Sequence, residues 1–167
     1  LFNGTSMASP QAAGAAALLV SAAEQAGAQK QPAQIRQALG SSARYLAGRY
    51  QAYEQGNGLI NVGAAWDLLR TNIKAVEIRS SVPVHTLLSD FLATPGVGAG
   101  INDREGVVAG QMYTRQYTFT RLNGGGGTKR YNASWVDNDG TFVSAGSVDL
   151  PLKQPVTFDV EITPITA

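Results

Sequence analysis

The chain opens with Leu1-Phe2-Asn3-Gly4-Thr5-Ser6-Met7-Ala8-Ser9-Pro10, and the organisation of its first part follows from this stretch. The residues that come next, 11–23, are an uninterrupted, alanine-rich run of helix formers. Because proline is tolerated only near the start of a helix, Pro10 predicts that this helix begins close to it. Ser6 therefore lies at a helix start, where backbone N–H groups lack intrahelical partners and negative charge is favoured.

A serine at this place has two interpretations. Before an alanine-rich helix, a lone serine is typical of an N-cap. A serine hydroxyl also becomes a nucleophile when a neighbouring base takes its proton, and the N–H of Ser6 could then stabilise an oxyanion. Gly4 would leave room for a substrate backbone because it has no side chain. The residues around Ser6 favour the second interpretation.

The run Gly4-Thr5-Ser6-Met7-Ala8-Ser9-Pro10 resembles the nucleophile signature of the subtilisin-like serine peptidases. The resemblance implies that Ser6 forms the acyl-enzyme and that Gly4, Thr5 and Ser6 contribute the oxyanion and substrate site. In that family the chain order is Asp, His, Ser, so the resemblance places the Asp, the His and the oxyanion Asn upstream of Leu1. We expect a C-terminal fragment of a secreted bacterial peptidase that hydrolyses peptides or proteins and is inactive on its own. Whether the parent is an endopeptidase or a tripeptidyl peptidase stays open.

The single histidine, His85, lies in the segment Pro83-Val84-His85-Thr86-Leu87. The general base of the family stands in a His-Gly-Thr context near a helix start, and His85 has neither feature. We therefore predict that His85 is a loop or surface residue of a β-rich region and takes no part in catalysis.

Composition excludes several classes of function. Thirteen basic and twelve acidic residues give a net charge of +1 without a charge run, so no nucleic-acid partner is expected. The longest apolar run, 12–20, is too short to span a membrane. The chain has no cysteine, which excludes disulfides and thiolate metal sites. No cofactor is expected in this chain, and the resemblance leaves calcium open for the parent enzyme. The other partner expected is the upstream portion of the same catalytic domain, and the sequence does not indicate an oligomeric state.

The first part of the chain, residues 1–72, is predicted to be helical. Residues 11–27 are apolar on almost every side, which predicts a buried helix that ends at Gly27. Pro32 is well placed to open a second helix, with Ile35 and Ala38 facing inward and Gln34 facing outward. The first part is completed by a turn at Gly56-Asn57-Gly58, a short strand over 59–62 and a third helix. This order of elements resembles the end of a subtilisin-like α/β domain over about residues 1–70.

The second part, residues 73–167, shows the alternation typical of strands. Phe158, Val160 and Ile162 alternate with polar residues, and the glycine tract 124–127 is predicted to connect a hairpin. Five or six short strands predict an antiparallel sandwich of the immunoglobulin or fibronectin type. Because seven strands are usual, we expect the sandwich to be incomplete at Ala167.

Two clusters in the second part have alternative interpretations. Asp137-Asn138-Asp139-Gly140 begins like a calcium loop, and subtilisin-like enzymes often bind calcium, but the bidentate acidic residue is missing, so a turn and no metal site is predicted. The aromatic residues could form a carbohydrate platform or a sandwich core, and we predict core. These aromatic residues are Tyr113, Tyr117, Phe119 and Trp135.

The chain also carries segments that resemble the tripeptidyl-peptidase II branch of the family and its bacterial members. They are Gly56-Asn57-Gly58-Leu59-Ile60-Asn61-Val62 and Gly100-Ile101-Asn102-Asp103-Arg104-Glu105-Gly106. A second hypothesis from a different class concerns the β-rich part alone. It would be a non-catalytic module that braces the catalytic domain or binds a partner in a larger extracellular protein.

Overall fold

In the computed structural model the chain divides into two compact units, Leu1–Ala75 and Val76–Ala167. The structure describes residues 4–84, 88, 91, 96–101 and 107–166. His85 and residues 102–106, on which two of the predictions above fall, lie outside the described residues. Within the described ranges, no helix is long and apolar enough to cross a membrane.

Helix α1, Thr5–Gln25, places Ser6 at its start and Pro10 inside it, which confirms a start close to Pro10. A proline this close to the start removes a single main-chain hydrogen bond from the 21-residue helix. The predicted end is confirmed. Gly27 has a φ of 64°, and the N–H groups of Ala28 and Gly27 donate to Ala23 and Glu24 at 2.8 and 3.0 Å. This pair of bonds is a Schellman motif, which favours glycine.

Three further helices complete the first unit: α2, Pro32–Ser41; α3, Ala52–Gln55; and α4, Val62–Arg70. Pro32 is the first residue of α2, as predicted, and Gln31 with Gln34 forms a reciprocal capping box. Gln34 is half-buried rather than outward, because its Nε2 also donates to the Ile73 carbonyl at 2.7 Å. Residues from α1, α2 and α4 form the core: Leu19, Ile35, Ala38, Ala65 and Leu69.

The strand predicted over 59–62 is not formed. Leu59 makes only an isolated bridge to Arg44, and Asn61 is the N-cap of α4, its side chain accepting from Ala64 N–H at 3.0 Å. The N-cap role of Asn61 is favoured over a strand because its side chain satisfies an N–H of the first helical turn. Gly58 lets the bridge close: its φ is 105°, and a Cβ there would lie 2.3 Å from the Arg44 carbonyl oxygen.

Helix α1 is buried on one face only within the described residues, although its sequence is apolar on almost every side. Ala15, Leu19 and Ala23 are buried, at the four-residue spacing of a single helix face. Leu18 is 62% exposed and Val20 is 41% exposed. Within the first unit, α2 and α4 cover only the face that contains Leu19.

The second unit contains seven strands among its described residues. They are β1, Ile78–Pro83; β2, Val97–Gly98; β3, Tyr113–Arg121; β4, Lys129–Asn132; β5, Phe142–Ser144; β6, Ser147–Leu150; and β7, Pro155–Ile162. Five form a sheet in the order β2-β1-β3-β7-β5, and β4 pairs with β6 separately. All strand pairs are antiparallel, and the sheet is not closed. This confirms the immunoglobulin-like, all-β prediction.

The alternation along β3 and β7 produces one apolar and one polar face. Tyr117 pairs with Phe158 and Phe119 pairs with Val156, and these side chains share a face. On the other face Gln116 donates to the Asp159 carboxylate at 2.9 Å. Val160 and Ile162 are buried, which confirms the alternation predicted for this strand.

The glycine tract 124–127 does not join a hairpin, contrary to the prediction. It connects β3, which pairs with β1 and β7, to β4, which pairs with β6, and so leads the chain from one sheet to the other. The tract is organised by Arg121, a fully buried residue. The Arg121 guanidinium donates to the carbonyls of Asn123 at 2.9 Å, Gly125 at 2.8 Å and Gly127, and its Nε donates to that of Leu150 at 3.1 Å.

Candidate active site

Ser6 is the second residue of α1 and is exposed. Gly4 occupies the N-cap position, and among the residues that the structure describes no side chain caps the helix. The Gly4 carbonyl accepts from the N–H groups of Met7 at 3.0 Å and Ala8 at 3.2 Å. The Ser6 hydroxyl therefore does not act as the N-cap of α1.

The backbone around Ser6 offers donors for an anion. The N–H groups of Thr5 and Ser6 precede the first hydrogen bond of the helix, and no described residue accepts from them. The carbonyl of Ser6 would normally accept from the residue four positions later, which is Pro10 and has no N–H. Together with the positive end of the helix dipole, the N–H groups of Thr5 and Ser6 favour negative charge beside the Ser6 hydroxyl.

Gly4 adopts a conformation that glycine alone takes readily, with φ 146° and ψ 172°. A Cβ at Gly4 would meet no described atom within 4 Å, so the requirement comes from the backbone and not from crowding. This conformation turns the chain into α1 at the residue before Thr5.

We expect Gly4→Ala to destabilise the first turn of α1 by about 1–3 kcal/mol, the cost of holding an alanine in this region. Gly14→Ala is the matched control, because Gly14 is exposed within α1 and a Cβ there also meets open space. That control is expected to stabilise the helix by about 0.5–1 kcal/mol. Thermal unfolding followed by circular dichroism measures both; equal shifts of the two variants would contradict a conformational role for Gly4.

The predicted site residues Gly4, Thr5 and Ser6 are thus consecutive, exposed and at one helix start. The described residues include no histidine, since the only one in the chain is His85. The arrangement supplies a hydroxyl and oxyanion donors; it does not itself supply a general base.

The acidic segment near residue 139 is a turn in the structure, as predicted. The Asn138 side chain donates to the Phe142 carbonyl at 2.7 Å, and the Asp139 carboxylate accepts from Thr141 N–H at 3.0 Å. Hydrogen bonds from Thr141 hold the pKa of the Asp139 carboxyl below its usual value. In the part of the chain that the structure describes, no group of three or more His, Cys, Asp or Glu residues could hold a metal ion.

The predicted core role of the aromatic residues is only partly met. Tyr113, Tyr117 and Phe119 are half-buried, and Trp135 is 43% exposed, so a core role for Trp135 was wrong. Strand β4 ends at Asn132, so Trp135 lies beyond the alternation that suggested burial.

Comparison with known proteins gives matches for both units. Residues 1–58 match the model of the subtilase family. Pyrolysin from Pyrococcus furiosus is 39% identical over 74 residues, which cover 41% of this chain and 5% of pyrolysin. Tripeptidyl-peptidase 2 from Drosophila melanogaster is 44% identical over 69 residues, 41% of this chain and 5% of that protein. The chain therefore spans about one twentieth of the length of either relative.

The second unit matches a different model. Residues 79–167, more than half of the chain, match the Ig-like domain in actinomycete serine proteases. No solved structure matches. The open antiparallel sheet of the second unit agrees with the family match, and the serine signature of the first unit agrees with the subtilase match. The chain belongs to the family of Ig-like domains in actinomycete serine proteases, and it carries a piece of a subtilase domain in front of that domain.

Proposed function

We propose that the chain is the C-terminal part of a secreted bacterial subtilisin-like peptidase in which Ser6 is the nucleophile. The observation that carries this proposal is the exposed Ser6 hydroxyl in the first turn of α1, after a glycine-only conformation at Gly4. The subtilase match over 1–58 and the serine-protease context of the Ig-like match support it.

In the proposed reaction the Ser6 Oγ attacks the carbonyl carbon of a peptide bond, while its proton passes to a histidine base. The oxygen becomes an oxyanion, which the N–H of Ser6 and the helix dipole help to stabilise. The C–N bond then breaks, the amine leaves with the proton, and water hydrolyses the acyl-enzyme. The proposal takes the base and its orienting carboxylate from residues of the peptidase outside these 167.

An active-site-directed fluorophosphonate tests this proposal in the whole peptidase and in the 167-residue chain side by side. Peptide mapping is expected to find the label on Ser6 in the whole peptidase and no label in the chain alone, because the base is then missing. Ser9 serves as an internal comparison, since it is an exposed serine in the same helix. A labelled whole peptidase in which Ser6 is unmodified would exclude Ser6 as the nucleophile.

The exposed apolar side of α1 supports a partner for the first unit. Leu18 and Val20 are large exposed side chains on different sides of the helix, and exposed small residues such as Ala13 and Ala17 lie between them. Exposed apolar surface of this kind is typical of an interface. We propose that the remainder of the peptidase domain covers it in the whole protein.

For the 167-residue chain alone we expect self-association through this surface, and we expect Leu18→Gln to reduce it. Leu18 is 62% exposed, so the change removes apolar surface without opening a cavity. Sedimentation velocity over a range of concentrations measures the effect. Tyr53→Gln is the control, because Tyr53 is also exposed and lies on α3. A chain that stays monomeric at all concentrations would contradict this expectation.

A further inference from the structure

The second unit contains an open, aromatic-lined groove with a volume of about 400 Å³. Tyr117, Phe119 and Phe158, from β3 and β7, line it on the side of the larger sheet. Asn132, Ser134 and Trp135 line it where the chain leaves β4. The groove thus lies between side chains of the larger sheet and the segment that follows β4.

The aromatic rings of the groove are held in place by one another. Tyr117 stacks on Phe119 with ring centroids 5.6 Å apart, and Phe119 contacts Phe158 at 5.7 Å. The indole of Trp135 stacks on Phe142 at 5.2 Å, which fixes the ring although Trp135 is 43% exposed. Rigid aromatic surfaces of this kind bind ligands at a low cost in conformational entropy.

The groove combines apolar faces with neutral hydrogen-bonding groups. None of the described residues that line it is charged, so it suits a neutral ligand. The side chains of Asn132 and Ser134 are exposed and make no hydrogen bond within the part of the chain that the structure describes. They offer an amide and a hydroxyl, which both donate and accept.

The strands beneath the groove favour recognition by side chains. β3 pairs with β7 along Tyr113–Thr120 and with β1 over Thr118–Arg121, while β5 pairs with β7 only over Val160–Ile162. Tyr117, Phe119 and Phe158 present their side chains from these strands to the groove. A ligand in the groove therefore meets aromatic rings, which suit flat apolar surfaces, and a polar rim.

We propose that this groove binds a neutral polysaccharide built of hexopyranose rings. A pyranose ring has C–H faces that stack on aromatic rings and a hydroxyl-bearing edge that pairs with amides and hydroxyls such as those of Asn132 and Ser134. The proposed binding is independent of catalysis at Ser6. It would hold the Ig-like unit, and whatever peptidase carries it, on a glycan surface.

Isothermal titration calorimetry of the 167-residue chain with cellohexaose and, separately, chitohexaose tests the proposal. Saturable binding of at least one hexaose is expected, and Trp135→Ala is expected to weaken it about ten-fold or more. Val136→Ala is the matched control, because Val136 is the exposed neighbour and does not line the groove. It is expected to leave the affinity within about two-fold.

Two further measurements keep the test independent of any folding defect in Trp135→Ala. Asn132→Ala alters an exposed rim residue and is expected to weaken binding several-fold. In a Trp66→Phe background Trp135 is the only tryptophan, and its emission should shift as the hexaose saturates the groove.

No binding of either hexaose at millimolar concentration would overturn the proposal, as would unchanged affinity in Trp135→Ala. Tighter binding of an uncharged, end-blocked octapeptide of Ala, Leu and Ser would also overturn it.

Discussion

Ser6→Ala in the whole peptidase is expected to lower kcat for peptide hydrolysis by about a million-fold, the loss that removal of the nucleophile causes in subtilisin itself. The reason is that the proposed mechanism forms the acyl-enzyme on Ser6, so without its hydroxyl only the oxyanion donors and substrate binding would remain. The measurement is a steady-state assay with a chromogenic peptide at saturating concentration, on enzyme freed of wild-type contamination.

Ser9→Ala is the control for that measurement. Ser9 is exposed, lies in the same helix and is removed from the helix start by one turn, so its loss should change kcat only slightly. A Ser6→Ala variant that keeps more than a small fraction of wild-type kcat would mean that another residue is the nucleophile.

Arg121→Met is expected to destabilise the second unit by about 3–5 kcal/mol. Arg121 is fully buried, and its guanidinium donates to the carbonyls of Asn123, Gly125 and Gly127. Methionine fills similar space but has no donor, so these carbonyls lose their partners, and each unsatisfied acceptor costs about 1–3 kcal/mol. Urea unfolding of a Trp66→Phe background measures the change, because Trp135 then reports on the second unit alone.

Arg130→Met provides the comparison for Arg121. Arg130 makes a paired contact with the Asp149 carboxylate at 2.7 and 2.8 Å, and the pair raises the pKa of Arg130 and lowers that of Asp149. Both side chains are exposed, so solvent replaces the contact and the loss should be far smaller than at Arg121. Equal destabilisation by the two changes would show that the carbonyl contacts of Arg121 do not organise the glycine tract.

Local sequence signals predicted the elements that local physics controls. Gly27 ends α1 because glycine readily adopts a positive φ, and Pro32 opens α2 because its ring fixes φ. Each boundary depends on a single residue. The alternation of Phe158, Val160 and Ile162 with polar residues predicted β7, since successive side chains of a strand point to opposite faces of the sheet. The position of Ser6 at a helix start was predicted for the same local reason.

Predictions that depended on distant partners were the ones that failed. The tract 124–127 has the composition of a hairpin turn, yet the pairing of β4 with β6 makes it a crossover. The exposure of Trp135 depends on how far the smaller sheet extends, which no local pattern states. The sequence did contain a sign that Arg121 is buried. Arg121 lies on the same strand face as Tyr117 and Phe119, and it shortly precedes a glycine-rich tract whose main-chain carbonyls a guanidinium can contact.

Mass spectrometry of the acyl-enzyme in the whole peptidase tests the role of Ser6 most directly. A slowly deacylating ester substrate is mixed with the enzyme, the reaction is quenched in acid during the initial burst, and the modified peptide is fragmented. We expect one acyl group per enzyme, located on Ser6 within the Gly4-Thr5-Ser6-Met7 segment. An acyl group found on any other residue, or a burst without modification of Ser6, would contradict the assignment of Ser6 as the nucleophile.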